Sequence, residues 1–343
     1  MNAHTQQKQW TDFLAHSVPT RKHERFKHAD FSYLKQQTFS ILEKKPAAIT
    51  AETLSARRLP EKNIFLVCVN GYFVSNLSDT QHLPKEVVVC SMQAARMHHA
   101  DLLATYASPA INAEQFPFAH LNTTLFTDGL FLWVPENGEI TIPMHILFIT
   151  TENNSVLHPR HVFIFGKNSK TILFEENRAF TDDVAYMNNT VTTIFAEQAA
   201  HVEHYKLQHE GKHALHLAHT FVQQQQDSQL FSTTFSIGAQ VARDETIVTL
   251  NGAGARFHGS GFYQTTRDQQ YLDHHVEIKH IAPRTHSEML YKGIVDKKSR
   301  AVFNGRLQVE KNAQKILAYQ ANHHLLLSPM AEAYSQPELE IYA

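Results

Sequence analysis

The sequence predicts a mainly β protein, a core of short strands preceded by an α-helical and mixed region. Three observations carry this reading. From Phe116 onward, strand-length apolar runs recur, separated by polar links with no helix-length pattern between them. Before that point Trp10, Phe13 and Leu14 have helical spacing in a stretch rich in Gln, Lys and Glu. Near the end, Ala301, Phe303, Gly305, Leu307 and Val309 share one parity, while Val302, Asn304, Arg306 and Gln308, mostly polar, share the other. That is the pattern of a strand with one buried face. Asn304-Gly305 would ordinarily mark a two-residue hairpin, yet the parity runs through it, so a corner or bulge inside a continuing strand is expected.

Taken in order, residues 1 to about 45 read as helical, broken at Pro19-Thr20, and the charged stretch from Arg21 to Lys27 is a linker or a second short helix. Residues 47–60 form a further helical piece, and Ile64 to Val69 and Val87 to Cys90 are β-rich. Ser91 is an N-cap candidate for a helix whose apolar side is Met92, Ala95, Ala100, Leu102, Leu103 and Tyr106, ending before Pro109, with His98 and His99 on its surface. The expected division is 1–115 for the helical and mixed region and 116–343 for the β core. Strands are expected at 129–134, 140–149, 161–165, 170–174, 191–196, 202–207, 215–222, 230–237, 246–250, 276–281, 289–295, 301–309 and 316–320, with 255–263 also strand-like. This excludes a doubly wound α/β fold and leaves two architectures, a sandwich or barrel and a parallel β-helix.

Composition narrows the function. With 343 residues and 43% hydrophobic content the chain can bury a sizeable core in one or two domains. A net charge of −2, with no run of five like charges, speaks against nucleic acid as a partner. The N-terminus MNAHTQQKQW leads into no signal-like apolar stretch, and nowhere do about eighteen apolar residues run together, so a soluble, cytoplasmic protein is expected. Cys68 and Cys90 sit in apolar, strand-like runs as buried, inert thiols, and two thiols fall short of the four that an ordinary iron-sulfur cluster needs.

Histidine is abundant, at 24 residues, and His201, His204, His209, His213, His216 and His219 fall in one short stretch. Within it, His209-Glu210-Gly211-Lys212-His213 is a literal H-E-x-x-H. On a helix this spacing would set two imidazoles around zinc with the glutamate beside a bound water, giving a zinc-dependent hydrolase. Here Tyr205 and Leu207 before it, and Leu215, Leu217 and Phe221 after it, alternate with period two, so Glu210-Gly211-Lys212 reads as a turn between strands. The other histidines project to different faces and read as surface or edge residues, with a histidine-rich iron-binding module as the alternative. Asn251-Gly252-Ala253-Gly254 and Gly259-Ser260-Gly261 lack the following helix that a phosphate loop requires, and read as corners or tight strand approaches. Neither G-x-x-x-x-G-K-[ST] nor G-x-S-x-G occurs.

Ordered blocks along the chain resemble the SufB/SufD family of iron-sulfur cluster assembly proteins. They are Pro19-Thr20-Arg21-Lys22-His23-Glu24, with Phe26 where the family usually has tryptophan, then Leu121-Asn122, Phe126, Asp128-Gly129-Leu130-Phe131, Val134-Pro135 and Pro143. They continue with Tyr291-Lys292-Gly293-Ile294-Val295, Ser299 to Arg306, Val309, Ala313-Gln314-Lys315, Gln320, Leu325 to Ser328 and Pro337 to Ile341. The N-terminal block and the short N-terminal domain are most like the SufD branch. The resemblance implies a right-handed parallel β-helix behind an N-terminal helical domain, and a non-enzymatic scaffold subunit of the SUF complex that pairs with SufB, works with the ATPase SufC and has a role in iron entry. It implies no catalytic residue and no cofactor bound by this chain alone, the iron-sulfur cluster being assembled in the complex with SufB. In relatives the last strand runs on into Asp-Asp-Val-x-Cys-Ser-His-Gly and a helical domain that binds SufC. The sequence to Ala343 holds neither, so no iron or cluster ligand is carried over. The final strand, Pro337, Glu338, Leu339, Glu340, Ile341 and Tyr342, is expected near an exposed edge that pairs with a partner or with its own copy.

Overall fold

A computed structural model describes residues 3–29, 31–42, 49–106 and 109–342. Part of the helix expected over 47–60 and the terminal Ala343 lie outside the described residues.

The N-terminal region is built from short helices held by aromatic packing. Helix α1 (Ala3–His16) buries Trp10 and Phe13, and the Trp10 indole donates to the Phe39 carbonyl at 3.0 Å. After the break at Pro19-Thr20, the charged stretch forms only a single 3₁₀ turn, Glu24–Phe26, which buries Phe26. Helix α2 (Ala51–Ser55) is capped by Thr50, whose hydroxyl accepts from the Thr53 N–H. Ser91 caps helix α3 (Met92–His98) as expected, but the helix breaks at His99, where φ is −134°, before α4 (Ala100–Thr105). His98 is exposed, whereas His99 stacks on Phe131 and is not a bare surface residue.

Helix α5 (Pro117–Leu125) corrects the expectation of continuous strand after Phe116. Proline at its first turn suits a helix start, where the missing N–H costs nothing. Its Phe118, Leu121 and Leu125 join the aromatic cluster of Trp10, Phe13, Phe26 and Phe31. Asn122 beneath them donates to the carbonyls of Pro159 and Asn189, tying the helix to the β core.

The strands, in chain order, are β1 (Ser40–Ile41), β2 (Ile64–Val69), β3 (Tyr72–Phe73), β4 (Val88–Ser91), β5 (Leu130–Val134), β6 (Met144–Thr150), β7 (Ser155–Leu157), β8 (Arg160–Phe165), β9 (Lys170–Ala179), β10 (Tyr186–Ala196), β11 (His201–His209), β12 (Ala214–Gln224), β13 (Gln229–Ser236), β14 (Val241–Leu250), β15 (Arg256–Gln264), β16 (Tyr271–His280), β17 (His286–Val295), β18 (Arg300–Val309), β19 (Leu317–Leu326) and β20 (Glu332–Ile341). Strands β8 to β20 alternate between two sheets, so that each turn of the chain adds one parallel rung to each. Sheet one runs β20-β18-β16-β14-β12-β10-β8-β5-β4 and sheet two β19-β17-β15-β13-β11-β9-β6-β2-β3. This is a parallel β-solenoid of about seven turns, and it excludes the sandwich and the barrel. At the first end both sheets finish in short antiparallel strands, β3 on β2 and β4 on β5.

Alternate residues of each strand point into the space between the sheets, where Leu132, Ile146, Phe163, Val202, Val222, Leu230, Val248, Phe257 and Ile278 form one continuous core. The outer face of sheet one is covered by the N-terminal region, so Met187, Leu215, Leu217 and Val241 are buried there as well. Corners repeat from rung to rung. Asn137, Asn168, Ala199, Asp227, Gly254, Arg284 and Lys315 all have φ between 54° and 74° and succeed one another along one corner. The N–H of each of the first six donates to a carbonyl on the following corner, from Asn137 to Lys167 through to Arg284 to Gln314. Asn304-Gly305 is neither corner nor bulge, because β18 keeps unbroken register with β16 through Val276↔Gly305.

Candidate functional site

The last turn of the solenoid is the part left open. On β20 the inward-facing Leu339 and Ile341 are 59% and 62% exposed, where their equivalents one rung earlier, Leu307 and Val309, are buried, and on β19 Leu317 and Leu325 are exposed as well. Tyr319, Leu327, Met330 and Tyr342 extend the apolar surface. Among the described residues no further strand pairs with β19 or β20, so both also carry free backbone edges. Because Glu332 and Tyr342 donate their N–H groups back to the β18 side, the backbone N–H groups of the even positions of β20 point toward β18 and those of the odd positions toward the open edge. Pro337 is odd, so its missing N–H falls on that edge and interrupts the row of donors. The expected partner segment from Pro337 to Tyr342 is therefore exposed, with Glu338 and Glu340 turned to the outer face, where they meet Arg306.

Polar side chains inside the solenoid lead toward this end. His204 Nε2 lies 3.0 Å from Glu175, both buried, and its Nδ1 lies 3.2 Å from the half-buried Ser232 hydroxyl. Burial alone would raise the Glu175 carboxyl, but His204 and Lys206 outweigh it and hold the group below its ordinary value. One rung further, Lys206 pairs with Asp244 in the same space. Burial drives His274 down to about 4 against the pull of Asp244 and Asp273, so its ring is neutral near pH 7. The His274 ring stacks on Tyr263 at 5.0 Å, and the Tyr263 hydroxyl reaches His324 Nε2 at 2.6 Å and accepts from the Asn322 amide at 3.0 Å. A file of hydrogen-bonding and ionisable groups thus connects the middle of the core to its open mouth.

A second charged cluster joins the N-terminal region to the outer face of sheet one. Arg25 donates to Glu245 at 2.6 Å and to Glu277 at 3.2 Å, while Arg243 pairs with Glu245 and Asp273 and lies under the Phe26 ring. The block Pro19 to Glu24 thus leads into a strap that ties two rungs, β14 and β16, through Arg25, with Arg306 of β18 also near Glu277.

The H-E-x-x-H run is a strand end, His209, followed by the corner that leads into β12, as its alternation predicts. Glu210 is buried, accepting from Tyr186 at 2.9 Å and from Gln208 at 3.0 Å, with His216 Nδ1 at 2.8 Å. His209 and His213 do not flank it around a common point, and among the described residues no group of three His, Cys, Asp or Glu side chains is placed to hold one metal ion. The neighbouring histidines separate as well. His204 and His216 point inward and His219 lies under Phe116, all three buried, which corrects the surface reading for them. The covering N-terminal region and the polar interior account for this, and neither is visible in strand parity alone. Cys68 is buried as expected, which lifts its thiol well above the ordinary value, whereas Cys90 is only half-buried, and its burial together with the Asp128 charge lifts its thiol to about 11. Gly259 and Gly261 face inward under aromatic rings, as tight approaches, and Gly252 and Gly254 form a corner.

Comparison with known proteins agrees with this architecture. Residues 148–343 match the family model described as SUF system FeS cluster assembly, SufBD core domain, and residues 1–146 match the SufBD protein N-terminal region. An iron-sulfur cluster assembly SufBD family protein of Synechocystis is 28% identical over 340 residues, which is 95% of this chain and 73% of that protein. The iron-sulfur cluster assembly protein SufD of Escherichia coli is 28% identical over 335 residues, 96% of this chain and 75% of that protein. SufD of Bacillus subtilis is 22% identical over 278 residues, 78% of this chain and 62% of that protein. With both family models matching in sequence order over a parallel β-solenoid behind a helical region, the chain belongs to the SufBD family of iron-sulfur cluster assembly proteins.

Proposed function

We propose that the chain is a SufD-type scaffold subunit of a SUF assembly complex, pairing through its open last turn with a SufB-type partner and assisting iron entry alongside a SufC-type ATPase. The observation that carries the pairing is the uncovered rung, in which two parallel edges and the inward-facing Leu339 and Ile341 have no further turn over them among the described residues. A partner presenting the same kind of turn would supply backbone hydrogen bonds to both edges and cover the apolar residues together. The SufD relative in Escherichia coli supports the branch, and the family resemblance supports the ATPase and the iron role. The part played by this chain is support and alignment rather than bond-making chemistry, in the cytoplasm. Among the described residues no helix is long and apolar enough to cross a membrane.

The test is co-expression of the chain with the SufB-type protein of the same organism, followed by size-exclusion chromatography with light scattering. Wild type is expected to elute as a heteromeric complex that Leu339→Lys with Ile341→Lys disrupts, each variant subunit remaining folded by circular dichroism. Recovery of the partner in equal amount with the double variant would remove the open turn from the interface.

A further inference from the structure

A cavity of about 610 Å³ lies between the N-terminal region and sheet one, outside the interior file, and reaches the start of the last turn at Met330 and Glu332. Its size is that of small-molecule pockets, which span roughly 300–1,000 Å³. The floor is a single register row across successive rungs, Leu215, Val241, Tyr271, Arg300 and Glu332. Neighbouring residues in such a row stand about 4.8 Å apart. The row therefore grades from apolar to charged along one line, three apolar side chains and then an ion pair, in which Arg300 Nη2 lies 2.6 Å from Glu332. Phe39 and Met330 add apolar wall, and the rim carries Arg21, Lys298, His28 and His213. At the polar end of the row the lining carries two cations, Lys298 and Arg300, against one carboxylate, Glu332. Lys298 is exposed and follows directly on the corner beside Arg300, at the polar end of the row.

We propose that this cavity binds a linear amphiphile with an anionic head group, its alkyl chain lying along Leu215, Val241 and Tyr271 and its head at Lys298 and Arg300. An elongated apolar floor accepts a chain, and the excess of cations at one end selects a carboxylate or phosphate over a neutral or cationic head. A compact polar metabolite would leave the row of Leu215, Val241 and Tyr271 uncovered, and a cationic ligand would meet Lys298 and Arg300.

Isothermal titration of the purified chain tests this, with dodecanoate and dodecyl phosphate below their micellar concentrations and dodecyltrimethylammonium as the cationic counterpart. At least one anion is expected to bind saturably at a single site, the tighter of the two assigning the head group. Lys298→Glu and Val241→Glu should each weaken it about tenfold or more, while Leu325→Ser at the open turn leaves it unchanged. Lys298→Glu alters only an exposed side chain, so the test stands even where Val241→Glu fails to fold. Three outcomes would each overturn the proposal: no saturable binding of either anion by about 1 mM, equal binding of the ammonium compound, or an affinity insensitive to Lys298→Glu. Loss of binding in Leu325→Ser would do the same by placing the ligand at the open turn.

Discussion

The ring of Tyr263 lies where a β-carbon on Gly293 of the adjacent rung would have to stand, and Tyr291 does the same at Gly261. The register makes the two relationships reciprocal, since Gly261 pairs with Tyr291 and Tyr263 with Gly293 across β15 and β17. Each glycine is thus the space that the neighbouring tyrosine fills, and the interior stays packed through two consecutive large rings.

Gly293→Ala and Gly261→Ala are accordingly expected to destabilise by about 1–3 kcal/mol each, the cost of forcing a ring out of a filled core. Urea unfolding measures this. Unchanged midpoints would show that the rings have room to move, contrary to the packing described.

Lys206 and Asp244 form a buried ion pair whose two members depend on each other. Lys206→Met should cost about 3–5 kcal/mol by stranding a carboxylate in the core, and Lys206→Met with Asp244→Leu should recover most of that loss. The corresponding double-mutant cycle, read by urea unfolding, checks it, and an additive double variant would mean that the pair is not coupled.

Stability should fall on mild acidification. Burial lowers His161 and His274 to about 4 and His158 to about 3, all well below the ordinary histidine value. Between their unfolded value near 6.5 and these folded values the unfolded chain binds more protons, so stability drops as pH falls through that window. Thermal melts from pH 7 to pH 4.5 should show a progressive decline, before carboxylate protonation contributes. Replacing His274 with Gln should flatten the slope by up to about 1.4 kcal/mol per pH unit. An unchanged slope would mean that this ring is protonated in the folded state.

Arg25→Gln should loosen the strap and leave the solenoid intact. Glu245 keeps Arg243, and Glu277 keeps Lys279, so neither carboxylate is stranded. Loss of two charge-assisted hydrogen bonds, part-exposed at the arginine, predicts a cost of about 1–3 kcal/mol. Hydrogen exchange would localise it as faster exchange in residues 24–29 and 31–36 with protection of β14 and β16 retained, whereas equal loosening of both would show that the strap holds the solenoid itself together.

The solenoid strands were legible wherever inward residues are apolar. Expected runs such as 202–207 and 301–309 match β11 and β18 closely. Strands β9, β10, β14 and β16 are longer than their apolar runs because Glu175, Asn188, Asp244 and His274 occupy inward positions that parity reading assigns to solvent or to loops. The same residues make up much of the interior file, so the feature that truncated the strand reading is the feature of most chemical interest. The repeat was hidden for a different reason. Its left-handed corner position is filled by Asn, Ala, Asp, Gly, Arg and Lys in turn, and backbone geometry recurs there without a recurring letter. Helix α5 was missed because it is only nine residues long, and its burial is decided by partners far away in sequence.

The two ends of the solenoid are unlike. The first is finished by the antiparallel strands β3 and β4, of two and four residues, and the last presents two parallel edges of ten residues each. The short antiparallel strands at the first end leave little of either sheet edge there open to pairing with another strand, so among the described residues the risk of edge-to-edge association is managed at that end by the fold itself.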